Sequence, residues 1–520
     1  MPDVPPAAEA PVPIQAAIVL AAGAGTRMRS TTPKVLHRIA GKPLLWHAVS
    51  ALAALSPEHL VAVLGNGRVE VEEFLAGADD LPAVVTAIQD RQLGTAHATG
   101  CALAALSGQL SGTVLVSYGD VPLLRTETLA ALAAGHVAAA NAVTVLTATV
   151  QDPTGYGRIV RDADGDLIAI VEQRDADDAV RGITEINSGV YAFDGAVLAD
   201  ALSRIGSGND QGEQYLTDVV GVTRGQGRRV GTVLADDAIE TEGVNDRIQL
   251  ARLARVLNDR IIRGHQLAGV TIYDPATTWI HADVTIGQDT EIWPGTQLEA
   301  GTSVGSGTSV GPDTTLSACS VGDGATVLRS HCQGARIGNR ATVGPYSYLR
   351  SGAVLGDGAH VGAHVEIKKS AIGSGAKVPH LSYIGDAIIG AGANIGAGAI
   401  TANYDGVDKF RTTVGENAFV GTNSTLVAPV DVGDGAYIAA GSTVADRVPA
   451  GALGVARGRQ HNSAGWVLRR RAGTAAARSA RAAGAGGTTA EPAGVARADT
   501  DIDTESAADS TDAAAKDVTG

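Results

Sequence analysis

Aromatic residues make up only 3% of the 520-residue chain, and cysteine occurs three times. Cys101, Cys319 and Cys332 show no metal-ligand spacing and an odd count. That excludes a closed disulfide framework and fits reduced thiols of a cytosolic compartment. Basic charge is scarce as well: the net charge of -15 argues against a nucleic-acid footprint. Much of the acidic excess sits near the C-terminus and says little about the folded parts. The opening MPDVPPAAEAPVP has no basic start and no apolar core, so it does not read as a secretion signal. No run approaches the length of a membrane span. These absences lead to the expectation of a soluble cytoplasmic protein.

What is abundant is glycine, with 66 residues. From Ile280 onward an aliphatic residue returns every sixth position: Ile280, Ile286, Ile292, Leu298, Val304, Val310 and Leu316. The step resumes over Ile337, Val343, Leu349, Leu355, Val361 and Ile367, and again from Val414 to Val444. A hexapeptide period of this kind predicts a parallel β-helix. Its corners need glycine, and its narrow core takes Val, Ile and Ala better than rings. Two breaks stand out. Ile367 to Ile372 is a five-residue step, and NYDGVDKFR over 403–411 carries no hexad and must leave the coil as a loop. A rod with bare coil edges favours side-by-side association, here a homotrimer.

Residues 14–245 follow a different rule. Apolar strands (IQAAIVLAAG, HLVAVLG, GTVLVSYGD, NAVTVLTATV) alternate with Ala/Leu-rich helical stretches (HAVSALAAL, TAHATGCALAAL). The alternation predicts an α/β domain, a mostly parallel sheet with helices on both faces. The expected division is a disordered leader over 1–13, this domain over 14–245, a linker helix over 246–266, the β-helix over 267–456, and an arm with a disordered tail over 457–520. The tail, from about residue 470, is Ala/Gly/Ser/Thr/Asp-rich and has no means of building a core.

The first strand runs into Gly23-Ala24-Gly25-Thr26-Arg27-Met28. Glycines there let the backbone approach a phosphate, and Arg27 and Lys34 add charge. It is not a Walker loop, since no Gly-Lys-Ser/Thr follows, and Met28 stands where a dinucleotide fingerprint needs a third glycine. A second strand ends in Tyr118-Gly119-Asp120-Val121-Pro122. A carboxylate at the C-terminal end of such a strand suits Mg²⁺ shared with substrate phosphates, or else caps the next helix. Gln89 and Gln92 offer amides suited to a base edge. In the β-helix half, Arg350, Lys368, Lys369 and Lys409 could form an anion pocket. His380 lies between them and the looped-out segment, placed to take a proton from an amine.

The order L-A-A-G-x-G-T-R-M, P-K-V-L, Q-L-G-T-A-H-A, Y-G-D-V-P, P-T-G-Y-G-R-I, E-I-N-S-G and E-G-V-N resembles the nucleotidyltransferase signature of sugar-nucleotide pyrophosphorylases. V-E-I-K-K, P-H-L-S-Y-I-G-D, N-I-G-A-G and N-Y-D-G resemble a hexapeptide acetyltransferase site. Together, over about residues 14–466, they resemble the bacterial bifunctional N-acetylglucosamine-1-phosphate uridylyltransferase/glucosamine-1-phosphate acetyltransferase family. The resemblance implies a Rossmann-like nucleotidyltransferase domain followed by a left-handed parallel β-helix, working as a homotrimer in the cytoplasm and feeding cell-wall synthesis.

Residue by residue, the resemblance implies that Gly23, Gly25, Arg27 and Lys34 hold the UTP phosphates and that Gln89, Gln92, Gly94 and Thr95 read the uracil. Leu20, Ala21, Ala22, Tyr118 and Gly119 would complete that nucleotide site. Gly157, Glu172 and Asn187 would hold the N-acetylglucosamine moiety, and Asp120 and Asn245 would bind Mg²⁺. In the second half His380 would be the general base. Arg350, Lys368, Tyr383, Asn394 and Lys409 would bind glucosamine-1-phosphate. Asn403 and Tyr404, beside the reacting centre, would join Ala397, Thr422, Ala440 and Arg457 at the acetyl-CoA site. Thr422 departs from the family pattern, which has Ser there. Two other readings compete: a single-function pyrophosphorylase whose repeats only oligomerise it, and a non-catalytic subunit keeping both folds.

Overall fold

The computed structural model describes residues 12–106, 108–209 and 212–485. The expected leader, apart from residues 12 and 13, and the tail beyond 485 lie outside the described residues. The first unit ends at Ala456 and the second begins at Arg457.

The N-terminal half is built on one mixed sheet. Its strands run in the order 230–234, 143–149, 185–194, 113–118, 14–20, 59–64 and 85–88, with the hairpin 158–161/167–171 attached to 185–194. The strand Ile14–Leu20 is parallel to both neighbours, whereas Glu185–Asp194 runs antiparallel to all three of its own. Alternation along Ile14–Leu20 divides the apolar residues into two cores. Ala16, Ile18 and Leu20 pack with the helix Thr95–Ala105 on one face. Ala17 and Val19 pack with the helices Leu44–Ala53 and Thr126–Ala138 on the other. All four strands and both helices read from the apolar runs are present. What decides the fold is that the sheet is buried on both sides, as a doubly covered sheet requires.

The helix Arg247–Leu267 is capped by Asp246, whose side chain accepts from the N–H groups of Ile248 and Gln249, both at 2.9 Å. It covers the first coil of the rod. Asn258, buried, donates to the Thr278 carbonyl at 2.8 Å and accepts from the Ile280 N–H at 2.9 Å. Its amide thus stands in for a neighbouring strand on an edge that would otherwise be bare. Arg255 lies over the Trp279 ring at 4.0 Å, and the Ala282 N–H reaches the Ala40 carbonyl at 2.9 Å.

Beyond the helix the chain winds as a left-handed parallel β-helix with three faces of eleven, ten and nine short strands. Every sixth residue points into one continuous apolar core. Partners one coil apart are 18 residues apart where three six-residue steps make the coil, as in Ile280 to Leu298 (298 − 280) and Leu298 to Leu316. Buried threonines inside the corners satisfy carbonyls of the next coil, as Thr290 does to Gly305 at 2.7 Å and Thr308 to Gly322 at 2.9 Å. Small residues follow the aliphatic ones because successive coils touch there. A Cβ on Gly421 would come within 2.5 Å of the Ala440 nitrogen.

Five-residue steps are more frequent than the period suggested. Leu316–Val321, Val327–Cys332, Cys332–Ile337 and Ile384–Ile389 join Ile367–Ile372. Each short corner is closed by one left-handed residue: Ala318, Arg329, Gly334, Asp386 and Lys369 respectively. Cys332 therefore occupies an aliphatic position, in register with Leu316 and Leu349, and burial pushes its thiol pKa up. The three thiols are free. At Ala387 to Thr412 the coil lengthens to 25 residues (412 − 387), because 403–411 leaves the rod as anticipated.

In the second unit, helices span Trp466–Arg470 and Ala475–Ala482, the latter capped by Thr474. Both helices fall in or next to the stretch expected to build no core. Ala, Arg and Ser at a helical spacing, with a Thr cap, suffice for a short helix that composition alone does not reveal. Among the described residues, no helix is long and apolar enough to cross a membrane.

Candidate functional sites

The first site lies where the parallel strands Ile14–Leu20 and Thr113–Tyr118 end on one edge of the sheet, the usual ligand edge of such folds. Leu20, Ala21, Ala22, Gly23, Lys34, Gln89, Gln92, Gly94, Thr95, Tyr118 and Asp120 line a cavity of about 250 Å³. Strand ends are tied across it: Ala21 N–H donates to Val63 O at 2.9 Å and Gly119 N–H to Leu20 O at 3.0 Å. Gly25 has φ +60°, and a Cβ there would sit 2.6 Å from the Lys34 Cβ. The bare backbone is what lets Lys34 cross the turn and form an ion pair with Asp120.

Asp120 is joined to the segment that carries Asn245. Val244 N–H donates to the Asp120 carbonyl at 2.8 Å, and Arg27 Nη2 donates to Asn245 Oδ1 at 2.8 Å. Both side chains assigned to the cation thus already hold cationic partners. One carboxylate and one amide oxygen suit Mg²⁺, which takes oxygen ligands and fills the rest of its sphere from water and substrate phosphates. Among the described residues no group of three His, Cys, Asp or Glu could form an all-protein cage.

The glutamine amides expected to read a base are partly engaged. Gln89 Nε2 donates to Gly94 O at 3.0 Å and Gln92 Nε2 to Ala22 O at 2.8 Å, so their amide oxygens remain for a ligand. Thr95 Oγ1 accepts from Leu216 N–H at 2.9 Å. Glu213, on that same returning segment, lines the cavity and went unnoticed in the sequence, because 118 positions separate it from Thr95. Burial, then the Glu172 and Asp120 carboxylates, raise the Tyr118 pKa, so the phenol stays neutral.

Gly157, Glu172 and Asn187 are brought together. Asn187 N–H donates to Gly157 O at 2.9 Å, and the Glu172 carboxyl lies beside Gly157. Glu172 opens onto a neighbouring cavity with Asp175, Tyr215 and Asp218. Burial, aided by the Asp175 and Asp218 charges, raises its pKa. Buried Arg158 bonds to the Tyr156 carbonyl and to Gln173 Oε1, fixing the loop that presents Gly157. It stood unremarked within P-T-G-Y-G-R-I.

The second site is an open surface on the rod. Tyr383 is stacked above Glu366, and Gly385 above Lys368 in the same pair of coils. His380, exposed, ends a strand of the adjacent face and is in register with Ala363. Asn394 lies one coil on from Lys377. The loop is an internally bonded hairpin: Tyr404 and Lys409 pair, Phe410 N–H donates to Asn403 O at 2.8 Å, and Tyr404 O–H donates to Gly406 O at 2.5 Å. Ala397, Thr422 and Ala440 stack along one corner, with Asn423 N–H to Ala397 O at 2.7 Å and Gly441 N–H to Thr422 O at 2.8 Å. Arg457 opens the second unit and is exposed.

The expected cation cluster is not a set of free charges. Arg350 pairs with Glu366 at 2.9 Å, and Lys368 with Asp386 at 3.4 Å, while Lys369 occupies a left-handed corner. Glu366 and Asp386 were inside the quoted V-E-I-K-K and P-H-L-S-Y-I-G-D runs without a role. They lie 16 and 18 residues beyond their partners, about one coil on, and that spacing is the signal that brings them together.

Comparison with known proteins agrees with this division. The family of MobA-like NTP transferase domains matches residues 17–185, and bacterial transferase hexapeptide repeats match 334–369 and 411–446. The Bifunctional protein GlmU of Streptomyces coelicolor is 53% identical over 468 residues, covering 90% of this chain and 97% of its own. Those of Mycolicibacterium vanbaalenii (53%, covering 89% and 94%) and Mycobacterium bovis (52%, covering 90% and 95%) are similarly close.

The chain belongs to the bifunctional GlmU family.

As a member, it is a bifunctional enzyme, a uridylyltransferase in its N-terminal half and an acetyltransferase in its β-helix. Relatives of both folds across nearly the whole chain leave no room for the repeats as a passive scaffold.

Proposed function

We propose that the β-helix site acetylates glucosamine-1-phosphate and that the cavity of the α/β half converts the product to UDP-N-acetylglucosamine, with residues in the roles assigned above. The observation that carries this is two separate polar sites on two folds of one chain. Six coils lie between Trp279, beside the linking helix, and Tyr383; at about 4.8 Å per strand spacing that is roughly 29 Å. The two sites cannot share reacting atoms, so the acetylated sugar phosphate must leave one to reach the other.

In the uridylyl step a phosphate oxygen of N-acetylglucosamine-1-phosphate attacks the α-phosphorus of UTP in line. A new P–O bond forms, the bond to the β-phosphate oxygen breaks, and pyrophosphate leaves. Lys34 exchanges Asp120 for phosphate oxygens, and Arg27 moves from Asn245 to the same charge. Asp120 and Asn245 would hold Mg²⁺, which would supply positive charge to the reacting phosphates. Positioning and charge neutralisation account for the rate, as elsewhere in phosphoryl-type transfer. Glu172 and Asn187 orient the sugar.

In the acetyl step the amine of glucosamine-1-phosphate attacks the thioester carbonyl. The C–N bond forms and the C–S bond breaks; His380 takes the amine proton and passes it to the departing thiolate, so that CoA leaves as its thiol. Arg350, Lys368, Tyr383, Asn394 and Lys409 hold the sugar phosphate, and the Ala397–Thr422–Ala440 corner, with Asn403 and Tyr404, receives acetyl-CoA. The enzyme acts as a homotrimer through its rods, in the cytoplasm where both activated substrates reside, and supplies cell-wall synthesis.

Thiol release from acetyl-CoA with glucosamine-1-phosphate, and pyrophosphate release from UTP with N-acetylglucosamine-1-phosphate, are measured in one preparation. Both are expected. Pyrophosphate release without thiol release would sink the acetyl-transfer assignment, and sedimentation as an active monomer would sink the trimer.

A further inference from the structure

We infer that Asp386 is a positioning residue for acetyl transfer, holding the Lys368 ammonium and the base of the 403–411 hairpin on a single carboxylate. The inference rests on the acetyl-transfer reading of this site and deepens it.

Four contacts converge on Asp386. Its Oδ2 accepts from Lys368 Nζ at 3.4 Å and from Asn403 Nδ2. Its backbone N–H donates to the Lys368 carbonyl at 3.0 Å, and its carbonyl accepts from Thr412 N–H at 3.3 Å. Asn403 is the residue at which the chain leaves the rod, and Thr412 the one at which it returns. One residue therefore grips both ends of the excursion and the cation of the coil below. Asn403 is buried, Lys368 and Asp386 are only 14% and 21% exposed, so solvent screening of the pair is reduced. A plain surface ion pair on a rod needs none of this convergence.

The hairpin needs such a fixed point. Its own bonds shape it internally, but Tyr404 and Lys409 are exposed. Their placement over the rod is set where the stem joins it. At φ +48° the corner also suits Asp or Asn better than most residues. Asp386→Asn therefore keeps the corner and an oxygen for Asn403 while removing the charge that aims Lys368. Asp386→Ala removes both.

The test compares acetyl-transfer kcat and KM in the full chain for the wild type, Asp386→Asn, Asp386→Ala, Lys368→Met and the double variant Lys368→Met/Asp386→Asn. Uridylyl transfer in the same preparations reports the α/β half, and thermal unfolding of each variant reports the folding of the rod. Asp386→Asn is expected to raise the KM for glucosamine-1-phosphate about tenfold with the acetyl-CoA KM little changed, the size of one charge-assisted contact. Asp386→Ala is expected to lower kcat as well, by about a further tenfold as the hairpin loses its anchor. In the Lys368→Met background the Asp386→Asn effect should vanish, because the two act through one contact. Unchanged kinetic constants in both Asp386 variants, or a full Asp386→Asn effect without Lys368, overturn the inference. A wild type that transfers uridylyl but not acetyl groups overturns the parent reading, and this inference with it.

Discussion

The α/β half has a cavity whose walls come from residues 20 to 213, whereas the β-helix half spreads its candidate site over an exposed corner and a hairpin. In the first, opposite charges already meet: Lys34 with Asp120, Arg27 with Asn245. In the second, the candidate base His380 stands exposed and the cations are held by Glu366 and Asp386. The difference follows from the scaffolds. A sheet covered on both faces offers loops from several strand ends converging on one edge. A rod filled by its own aliphatic residues has no interior to lend and must build outward, from corners and insertions. An enclosed site gains strength for each charge; an open one depends on orientation.

The comparison breaks most sharply at Asp120. Asp120→Ala removes the carboxylate between Lys34 and the assigned cation, and uridylyl transfer is expected to fall by about 10³-fold or more. Acetyl transfer in the same preparation should be untouched, and a parallel loss of both would show that the halves are not independent. The converse is His380→Ala. Loss of a general base costs about 10²- to 10⁴-fold, so thiol release should drop by that amount while pyrophosphate release holds.

Glu172 sharpens the contrast in environment. Burial, with Asp175 and Asp218 nearby, raises its pKa. A carboxyl whose folded-state pKa is raised binds its proton more tightly in the folded chain. The fold is therefore unpenalised below the ordinary carboxylate range and loses stability as pH rises through the raised value. Glu172→Gln should accordingly raise the thermal midpoint at pH 8 relative to the wild type, with the difference shrinking toward pH 4. It should also raise the KM for N-acetylglucosamine-1-phosphate about tenfold, the size of one lost hydrogen bond to a charged group. Thermal unfolding across pH, alongside steady-state kinetics, checks both signs. The smallest effect is expected on the open corner. Thr422 is exposed, so Thr422→Ser should change the acetyl-CoA KM by no more than about threefold, as a substitution that keeps the hydroxyl and removes one exposed methyl.

The hexad positions were legible because a rod's core repeats the same contact, so the period itself states which residues face inward. Cys332 escaped that reading, since two consecutive five-residue steps displace it from the six-residue count. The helix Ala475–Ala482 escaped because an Ala-rich composition describes tails and short helices alike. At the first site, Asp120 was legible as chemistry at a strand end and Lys34 as charge beside the glycine turn, whereas Asn245 came only with the family resemblance. Glu213 and Arg158 were not legible, because each acts through a neighbour far along the chain or through the backbone of a loop.

What the sequence determined by itself is the pair of construction rules, period six after alternating α/β, and the residue types that each site's chemistry demands. Only the tertiary structure decided which charges meet. Coil stacking brings Asp386 to both Lys368 and Asn403, and the returning segment brings Val244 onto Asp120. Such meetings depend on register and on the lengths of corners and loops. Those are set by packing summed over the whole domain, not by any local run of residues.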